Sequence, residues 1–360
     1  MDLSLDNDDR ALKQGVEKVL EDRKNHGLEG LVGDLEAVVV GVEPDRLQPA
    51  AQELLETTGM DFEEAFQDDQ GAWAKLALPG SADYLVHARK TADNPFRPYN
   101  ERPKSGHLPD TRLETFVFET PDLERYVAVQ QGRGIRFAEP GIVEAEHCRY
   151  ARTLPSRYTG NALGFIQWTG ERGRYETTGA WPLKLELAKP GAAHLAEIGP
   201  LDHTATRVRA EERDAAILEF MDLTNHDFAF AIYVDFLNSI TSVARREDGY
   251  AQVFTSGITS FTSLEESGPT ERFIHNYGTR VHHMAFRTTD IEKTVDALKA
   301  GGLGFLSDLL GSPEEGLKQA FSEMSPNTLL VNEYIHRYGD FDGFFTRSNV
   351  TELTRATEKQ

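Results

Sequence analysis

The sequence predicts an α+β fold in two domains, each built from a pair of βαβββ modules. Three observations carry that prediction. One strand–helix–strand pattern recurs along the chain. Each copy holds a single amphipathic helix among several strand-like runs, so helix is the minority element and the sheets are expected to curl around a cleft. Loop-forming segments rich in Pro, Gly and charge separate the copies.

The recurrence is clearest in the second and fourth units. Phe118-Glu119-Thr120-Pro121-Asp122-Leu123-Glu124 leads to Gly134-Ile135-Arg136-Phe137. At the same offset throughout, Phe286-Arg287-Thr288-Thr289-Asp290-Ile291-Glu292 leads to Gly302-Leu303-Gly304-Phe305. Each copy reads as a strand, a helix start, an amphipathic helix, a glycine stop and a second strand. Pro121 suits a first helical turn, and Thr289 with Glu292 matches a capping box. Val295 and Leu298 fall at helical spacing, as a core-facing stripe should.

Two weaker copies run from Val38-Val39-Val40 through Leu47 and Leu55 to Met60 and Phe62, and from His203-Thr204-Ala205 through Ala216-Ile217-Leu218 to Phe228. Four units in two pairs imply two similar domains. Later strand runs follow the helices, with Phe230, Ile232 and Val234 alternating along one, and Ala251-Gln252-Val253-Phe254 and Thr328-Leu329-Leu330-Val331 forming others. Loop composition marks 94–110 and 170–200, the latter read as the interdomain connection. The expected organisation is a helical extension over 1–27, a metal-free domain over 28–168, a linker over 169–198 and a metal-binding domain over 199–360.

A chain of 360 residues accommodates two ordinary domains, and 39% hydrophobic with 27% charged residues is a globular composition. With 38 basic against 59 acidic residues the net charge is −21, which argues against a nucleic-acid partner and is ordinary for solubility. Cys148 is the only cysteine, so neither an intrachain disulfide nor a thiolate metal cluster can form. His147 beside it points to the opposite strand face and makes no nucleophilic pair. The acidic start lacks the apolar core of a secretory signal, and the longest apolar run, 37–42, is far short of a membrane span. A cytoplasmic protein without a membrane partner is expected, and a homo-oligomer stays open.

Among 11 histidines, His203 and His283 open the first strands of the two C-terminal units and are equivalent by repeat symmetry. Thr115 holds that place in the second unit, and no histidine starts the first. Glu333 lies in Leu329-Leu330-Val331-Asn332-Glu333-Tyr334-Ile335, where alternation puts Leu329, Val331, Glu333 and Ile335 on one face. A carboxylate on an apolar face needs a partner. A divalent metal is one such partner, and an arginine such as Arg337 is the ordinary alternative. His282 is a rival to His283, and strand alternation allows only one of them to face the cleft. Two imidazoles and one carboxylate form the facial triad of non-haem Fe(II) oxygenases, with positions left for a bidentate substrate and dioxygen. Zinc has no redox chemistry to offer there.

At these residues the sequence resembles the vicinal oxygen chelate superfamily, and within it the 4-hydroxyphenylpyruvate dioxygenase family. Leu201-Asp202-His203, the run from His275-Asn276-Tyr277-Gly278 to His283-Met284-Ala285-Phe286, and Asn332-Glu333-Tyr334-Ile335-His336-Arg337 resemble that family's three ligand segments. Gly343-Phe344-Phe345-Thr346-Arg347-Ser348-Asn349-Val350-Thr351-Glu352-Leu353 is similar to its gating C-terminal helix. The likeness covers roughly residues 200 to 360 by motif and 30 to 165 by repeat architecture.

The resemblance implies a glyoxalase-like fold of curled, open-barrel sheets and an Fe(II) cofactor held by His203, His283 and Glu333, with no catalytic residue beyond these ligands. A small 2-oxo acid would chelate the iron, dioxygen would bind beside it, and oxidative decarboxylation would drive oxidation of the rest of the same molecule. Ser239, in Leu237-Asn238-Ser239, carries over as a pocket residue, as do Gln319, Phe321 and Phe345. The family's Pro-Ile-Asn-Glu-Pro stretch is replaced by Phe254-Thr255-Ser256-Gly257-Ile258, which puts Ser256 at the pocket Asn. Gly268 and His282 replace family glutamines, His282 thereby becoming a substrate-side residue, and Val350 replaces the second helix aromatic. A site that hydrogen-bonds its substrate cannot exchange such partners freely, so the likeness implies a chemistry class rather than one substrate. An extradiol ring-cleaving dioxygenase shares the triad, and a non-catalytic binding protein shares the cleft. A glyoxalase-type isomerase uses a different ligand set.

Overall fold

A computed structural model describes residues 9–90, 93–246, 249–339, 341 and 343–357. The first domain is a nine-stranded sheet in the spatial order Val143–Glu144, Cys148–Arg152, Ala162–Trp168, Arg112–Glu119, Leu35–Val42, Asp83–Arg89, Gly71–Ala77, Asp61–Gln67 and Trp181–Pro182. The second is an eight-stranded sheet in the order Asp227–Val234, Ser239–Arg245, Ala251–Ser256, Ile198–Arg207, Arg280–Thr288, Val331–Arg337, Leu317–Phe321 and Leu310–Ser312. Each sheet curls into an open half-barrel, and the α+β class holds.

The repeat symmetry is visible in the pairing. In each half the first strands of the two modules run antiparallel at the centre, Leu35–Val42 with Arg112–Glu119 and Ile198–Arg207 with Arg280–Thr288. Each of these then pairs in parallel with the last strand of its own module. Strands sandwiched this way read as nearly continuous apolar runs, as Val38-Val39-Val40 does.

The helices Leu47–Thr57, Leu123–Gly132, Arg213–Leu223 and Ile291–Ala300 pack on the outer faces. Their apolar stripes join those faces in one core that spans both domains, with Val38, Phe116 and Phe118 from one and Phe254, Met284, Phe286 and Tyr334 from the other. Each such side chain contributes about 1.5–3 kcal/mol on burial. The helix Asp9–Asn25 docks on the second domain, where the buried Arg23 guanidinium donates to the Met221, Thr224 and His226 carbonyls. Those carbonyls include free ends of the helix Arg213–Leu223, which a cation caps well.

Several local expectations are corrected. The caps of the helices Leu123–Gly132 and Ile291–Ala300 are Asp122 and Asp290, whose carboxylates accept from the Arg125 and Lys293 amides at 3.0 Å. Pro121 and Thr289 therefore lie outside the helices, because an aspartate one residue later is the stronger cap. Gly134 and Gly302 do turn the chain with positive φ, but the strand expected after each shrinks to a single bridge, Phe137 with Thr153 and Phe305 with Ser322. Leu329 is not on the Glu333 strand; it takes a left-handed conformation (φ 55°) in the turn before it, and the strand begins at Val331. The segment read as a bare connection adds the edge strand Trp181–Pro182 to the first sheet and sends Tyr175 into its interior. No helix among the described residues is long and apolar enough to cross a membrane.

Candidate metal centre

His203, His283 and Glu333 stand on three adjacent strands at the middle of the second sheet. The register pairs His203 with Ala285 and Ala285 with Glu333, so the three lie at one level across the sheet. The small Ala285 methyl at the centre leaves space between the flanking ligands. His283 is two residues further along the central strand and closes the triangle. One ligand atom from each residue lies within 4.8 Å of the others, and Glu333 Oε2 is 3.1 Å from His203 Nε2 and 3.2 Å from His283 Nε2.

Two β-bulges shape this level. Asp202 is the extra residue between the pairs Leu201–Phe286 and His203–Ala285, and His282 is the extra residue between Ala205–His283 and Thr206–Val281. Bulges next to a site re-aim side chains. The first brings Asp202 against its neighbour, with its Oδ2 2.8 Å from His203 Nδ1. The second interrupts the alternation at the histidine pair and sets His282 Nδ1 2.9 Å from His283 Nδ1, with the His282 ring edge-on to Phe273.

Asp202 also accepts from Arg337 Nη1 and Nη2 at 2.7 and 2.9 Å and from Arg287 Nε at 2.8 Å. This buried carboxylate is held far below its ordinary range: burial raises it, and His203 and Arg337 lower it more. The arginine considered as a partner for Glu333 is thus committed elsewhere. With Asp202 on Nδ1, His203 turns Nε2 toward Glu333, the orientation a metal-bound histidine needs. Neither Glu333 oxygen nor His203 Nε2 has a hydrogen-bond partner, although all are buried. Glu333 stays ionised, at about 2, because His203 and His283 outweigh its burial. Burial lowers His283, whereas Glu333 and Asp202 together overcome burial and raise His203. Two imidazole nitrogens and a bare carboxylate at this spacing fit one divalent ion.

Phe321 packs edge-on to His283 at 5.3 Å between ring centroids, and Phe345 to His203 at 5.2 Å. Phe345 precedes the helix Arg347–Ala356 rather than riding on it, because Thr346 caps that helix. Gln319 Nε2 donates to the Asn349 carbonyl of the helix, and its Oε1 is buried without a partner. Ser239 shares the inner face of its strand with Thr241 and Val243. Ser256 lies with Phe254 on the other side of its strand and donates to the Gly257 carbonyl, while Thr255 takes the inner side.

Residues the sequence reading passed over are Asp202, Ala285, Arg207 and Phe344. Phe344 packs 5.3 Å from His203 and under the Arg337 guanidinium. The even spacing of Arg207 from His203 along one strand was the available signal for it.

Among the described residues of the first half-barrel no such group of ligand side chains comes together. Ala37, Thr115 and Gly164 occupy the positions equivalent to the ligands by register, and a Cβ on Gly164 would meet the Tyr150 hydroxyl at 2.6 Å. Its interior is filled by Ala37, Val39, Leu85, Val117, Cys148 and Ile166. A cleft of about 860 Å³ lies elsewhere, lined by residues including Glu63, Lys75, Asp83, Arg172 and Arg287. Within it Lys75 pairs with Glu63 and Asp83 and Arg172 with Glu36, and it includes none of His203, His283 and Glu333.

No protein-family model matches the chain, and no curated protein matches it. Solved structures do. A mutant of 4-hydroxymandelate synthase from Streptomyces coelicolor aligns over 91% of this chain and 98% of its own, with a TM-score of 0.67 and 18% identity. A xylose isomerase-like TIM barrel/4-hydroxyphenylpyruvate dioxygenase fusion protein aligns over 91% of this chain, at a TM-score of 0.62 and 17% identity. The chain spans about half of that fusion, 52% of its length. The chain has the two-domain vicinal oxygen chelate fold that these proteins share.

Proposed function

We propose that this chain is an Fe(II)-dependent dioxygenase that decarboxylates a 2-oxo acid and oxidises the same molecule. One observation carries the reading. Arg287 and Arg337 are both given to Asp202, which leaves Glu333 ionised and facing two imidazole Nε2 atoms. A buried carboxylate with neither a cation nor a hydrogen bond is costly unless a metal completes it. The activities named for the two structural neighbours agree with this donor set.

When bound, Fe(II) supplies a redox-active centre with open positions for a bidentate oxygen chelate and for dioxygen. The remaining work falls to the chain's own groups. Asp202 keeps the His203 proton on Nδ1, so that Nε2 offers its lone pair. Phe321, Phe344 and Phe345 pack around the ligands and exclude water from them. Gln319 offers an unpartnered carbonyl oxygen, and its amide ties the site to the helix Arg347–Ala356 that lies across it. Ser239 and His282 complete the polar lining assigned to the substrate.

The test is anaerobic reconstitution with Fe(II), followed by a screen of 2-oxo acids for a visible charge-transfer band and of oxygen uptake with 2-oxo acids against catechols. A band and uptake with 2-oxo acids support the reading. Uptake with catechols alone makes the chain a ring-cleaving dioxygenase, and iron binding without uptake makes it a binding protein. Absence of iron binding, or iron binding that survives His283→Ala, overturns the metal centre itself.

A further inference from the structure

Arg207 ends the strand that carries His203, and alternation through Ala205 puts all three on the inner face. It is 4% exposed. Its guanidinium lies 4.2 Å from the Phe273 ring centroid, Phe273 meets His282 edge-on at 5.1 Å, and His282 touches the metal ligand His283. Among the described residues no carboxylate pairs with Arg207, and its Nη1 is buried without a hydrogen-bond partner. The register partner of Arg207 on the next strand is Thr255, whose Oγ1 is also buried and unpartnered.

Other buried arginines each keep at least one hydrogen bond from the guanidinium, although Arg112 Nε and Arg280 Nε and Nη1 are also buried without a partner. Arg213, on the outer face, pairs with Asp9 and Asp214 and donates to Ser242. Arg112 and Arg280 donate to carbonyl oxygens of neighbouring segments. An unpaired buried cation is costly, and a desolvated cation–π contact offsets only part of that cost. A guanidinium and a hydroxyl left open at one level form a two-donor seat that a carboxylate completes.

We propose that Arg207 and Thr255 bind a second anionic group of the substrate, so that the site takes a dianionic 2-oxo acid with one end at the metal and the other at Arg207. This rests on the reading of the metal centre given above. The Cα atoms of His203 and Arg207 are roughly 13 Å apart at strand rise, and both side chains reach inward, which suits a chain of a few carbons between the two ends.

The experiment compares 2-oxoadipate with 2-oxohexanoate, which has the same length and lacks the far carboxylate. Binding is measured by the charge-transfer band of the anaerobic Fe(II) protein, and by ligand-induced thermal shift of the metal-free protein. The wild type is expected to bind 2-oxoadipate at least tenfold more tightly, and Arg207→Gln to abolish that preference while leaving 2-oxohexanoate unchanged. Arg207→Lys should keep part of the preference. Without ligand, Arg207→Gln should melt at a higher temperature than the wild type, because it removes an uncompensated charge. Equal binding of the two acids, equal weakening of both by Arg207→Gln, or a destabilised Arg207→Gln would overturn the proposal. In the metal-free protein, a thermal shift given by 2-oxoadipate and lost in Arg207→Gln stands even if iron fails to bind, so the two readings fail separately.

Discussion

Replacing Asp202 with Asn removes a charge from behind the metal centre while keeping the shape of the side chain. Asp202 is 1% exposed and accepts four charge-assisted hydrogen bonds, from His203, Arg287 and both terminal nitrogens of Arg337. The outer partner of a metal-bound histidine is worth 10–100-fold in metal affinity, or about 1.4–2.8 kcal/mol. Losing the Arg337 pair should also lower fold stability by about 2–3 kcal/mol. The Arg287 contact adds little, because that side chain is more than half exposed and screened by solvent. Anaerobic competition against a chromophoric chelator reads the first effect, and urea unfolding the second. Arg337→Gln serves as the control: it breaks the ion pair, leaves the His203 contact, and should lower stability with a metal-affinity loss below about threefold. A folded Asp202→Asn that binds Fe(II) like the wild type would refute the reasoning. So would an Arg337→Gln that weakens iron as much as Asp202→Asn does, since Asp202 would then be only a member of an ion pair.

Four further outcomes are expected. Burial pushes the Glu271 carboxyl up to about 7 despite hydrogen bonds from the Ala210 and Gly257 amides, so the folded state holds its proton more tightly than the unfolded state. Stability should therefore fall by up to about 3 kcal/mol as pH rises from 4.5 to 7, and Glu271→Gln should flatten that slope in urea titrations. Against the cost of burial, Arg89 and His87 hold Glu114 down at about 2, so its contribution is present above pH 4.5 and lost as pH falls toward 2. Glu114→Gln should cost about 3 kcal/mol at neutral pH and remove that acid-side loss, measured the same way. Ala285→Leu should fill the space between His203 and Glu333, destabilise by about 1–3 kcal/mol and abolish metal binding, which calorimetric titration checks. Cys148 is buried with its thiol pushed up to about 11, so alkylation of the native protein should be slow and follow unfolding, as mass spectrometry would show.

Much of the fold was legible because the repeat states the strand–helix order twice in nearly the same residues. The triad was legible because His203, His283 and Glu333 sit at positions that symmetry and alternation mark out. What escaped has a common cause in local departures from those two rules. The bulges at Asp202 and His282 break alternation, bringing each side chain against the histidine that follows it. The left-handed turn at Leu329 removed one residue from the face assigned to it. Phe345 precedes its helix because one threonine caps it, and a cap is set by a single hydrogen bond rather than by a pattern. Ala285 matters by being small, which no motif advertises, and Arg207 matters by lacking a partner, which only three dimensions reveal.

The strand that carries Glu333 has a second row of side chains. Asn332 and Tyr334 alternate with the ligand and reach back to Thr57 of the other domain, at 3.1 and 2.8 Å. On the central strand Arg280 donates to the Thr111 carbonyl, and Arg112 returns a bond to Thr279. Two of the three strands that carry His203, His283 and Glu333 are thus cast against the other half-barrel. That half works as a jig, and the coordination geometry is inherited from the whole chain. Recombining either half with a distant relative would have to carry Thr57, Asn332 and Tyr334 across together with His203, His283 and Glu333, or the three side chains would lose their mutual geometry while every one of them was intact.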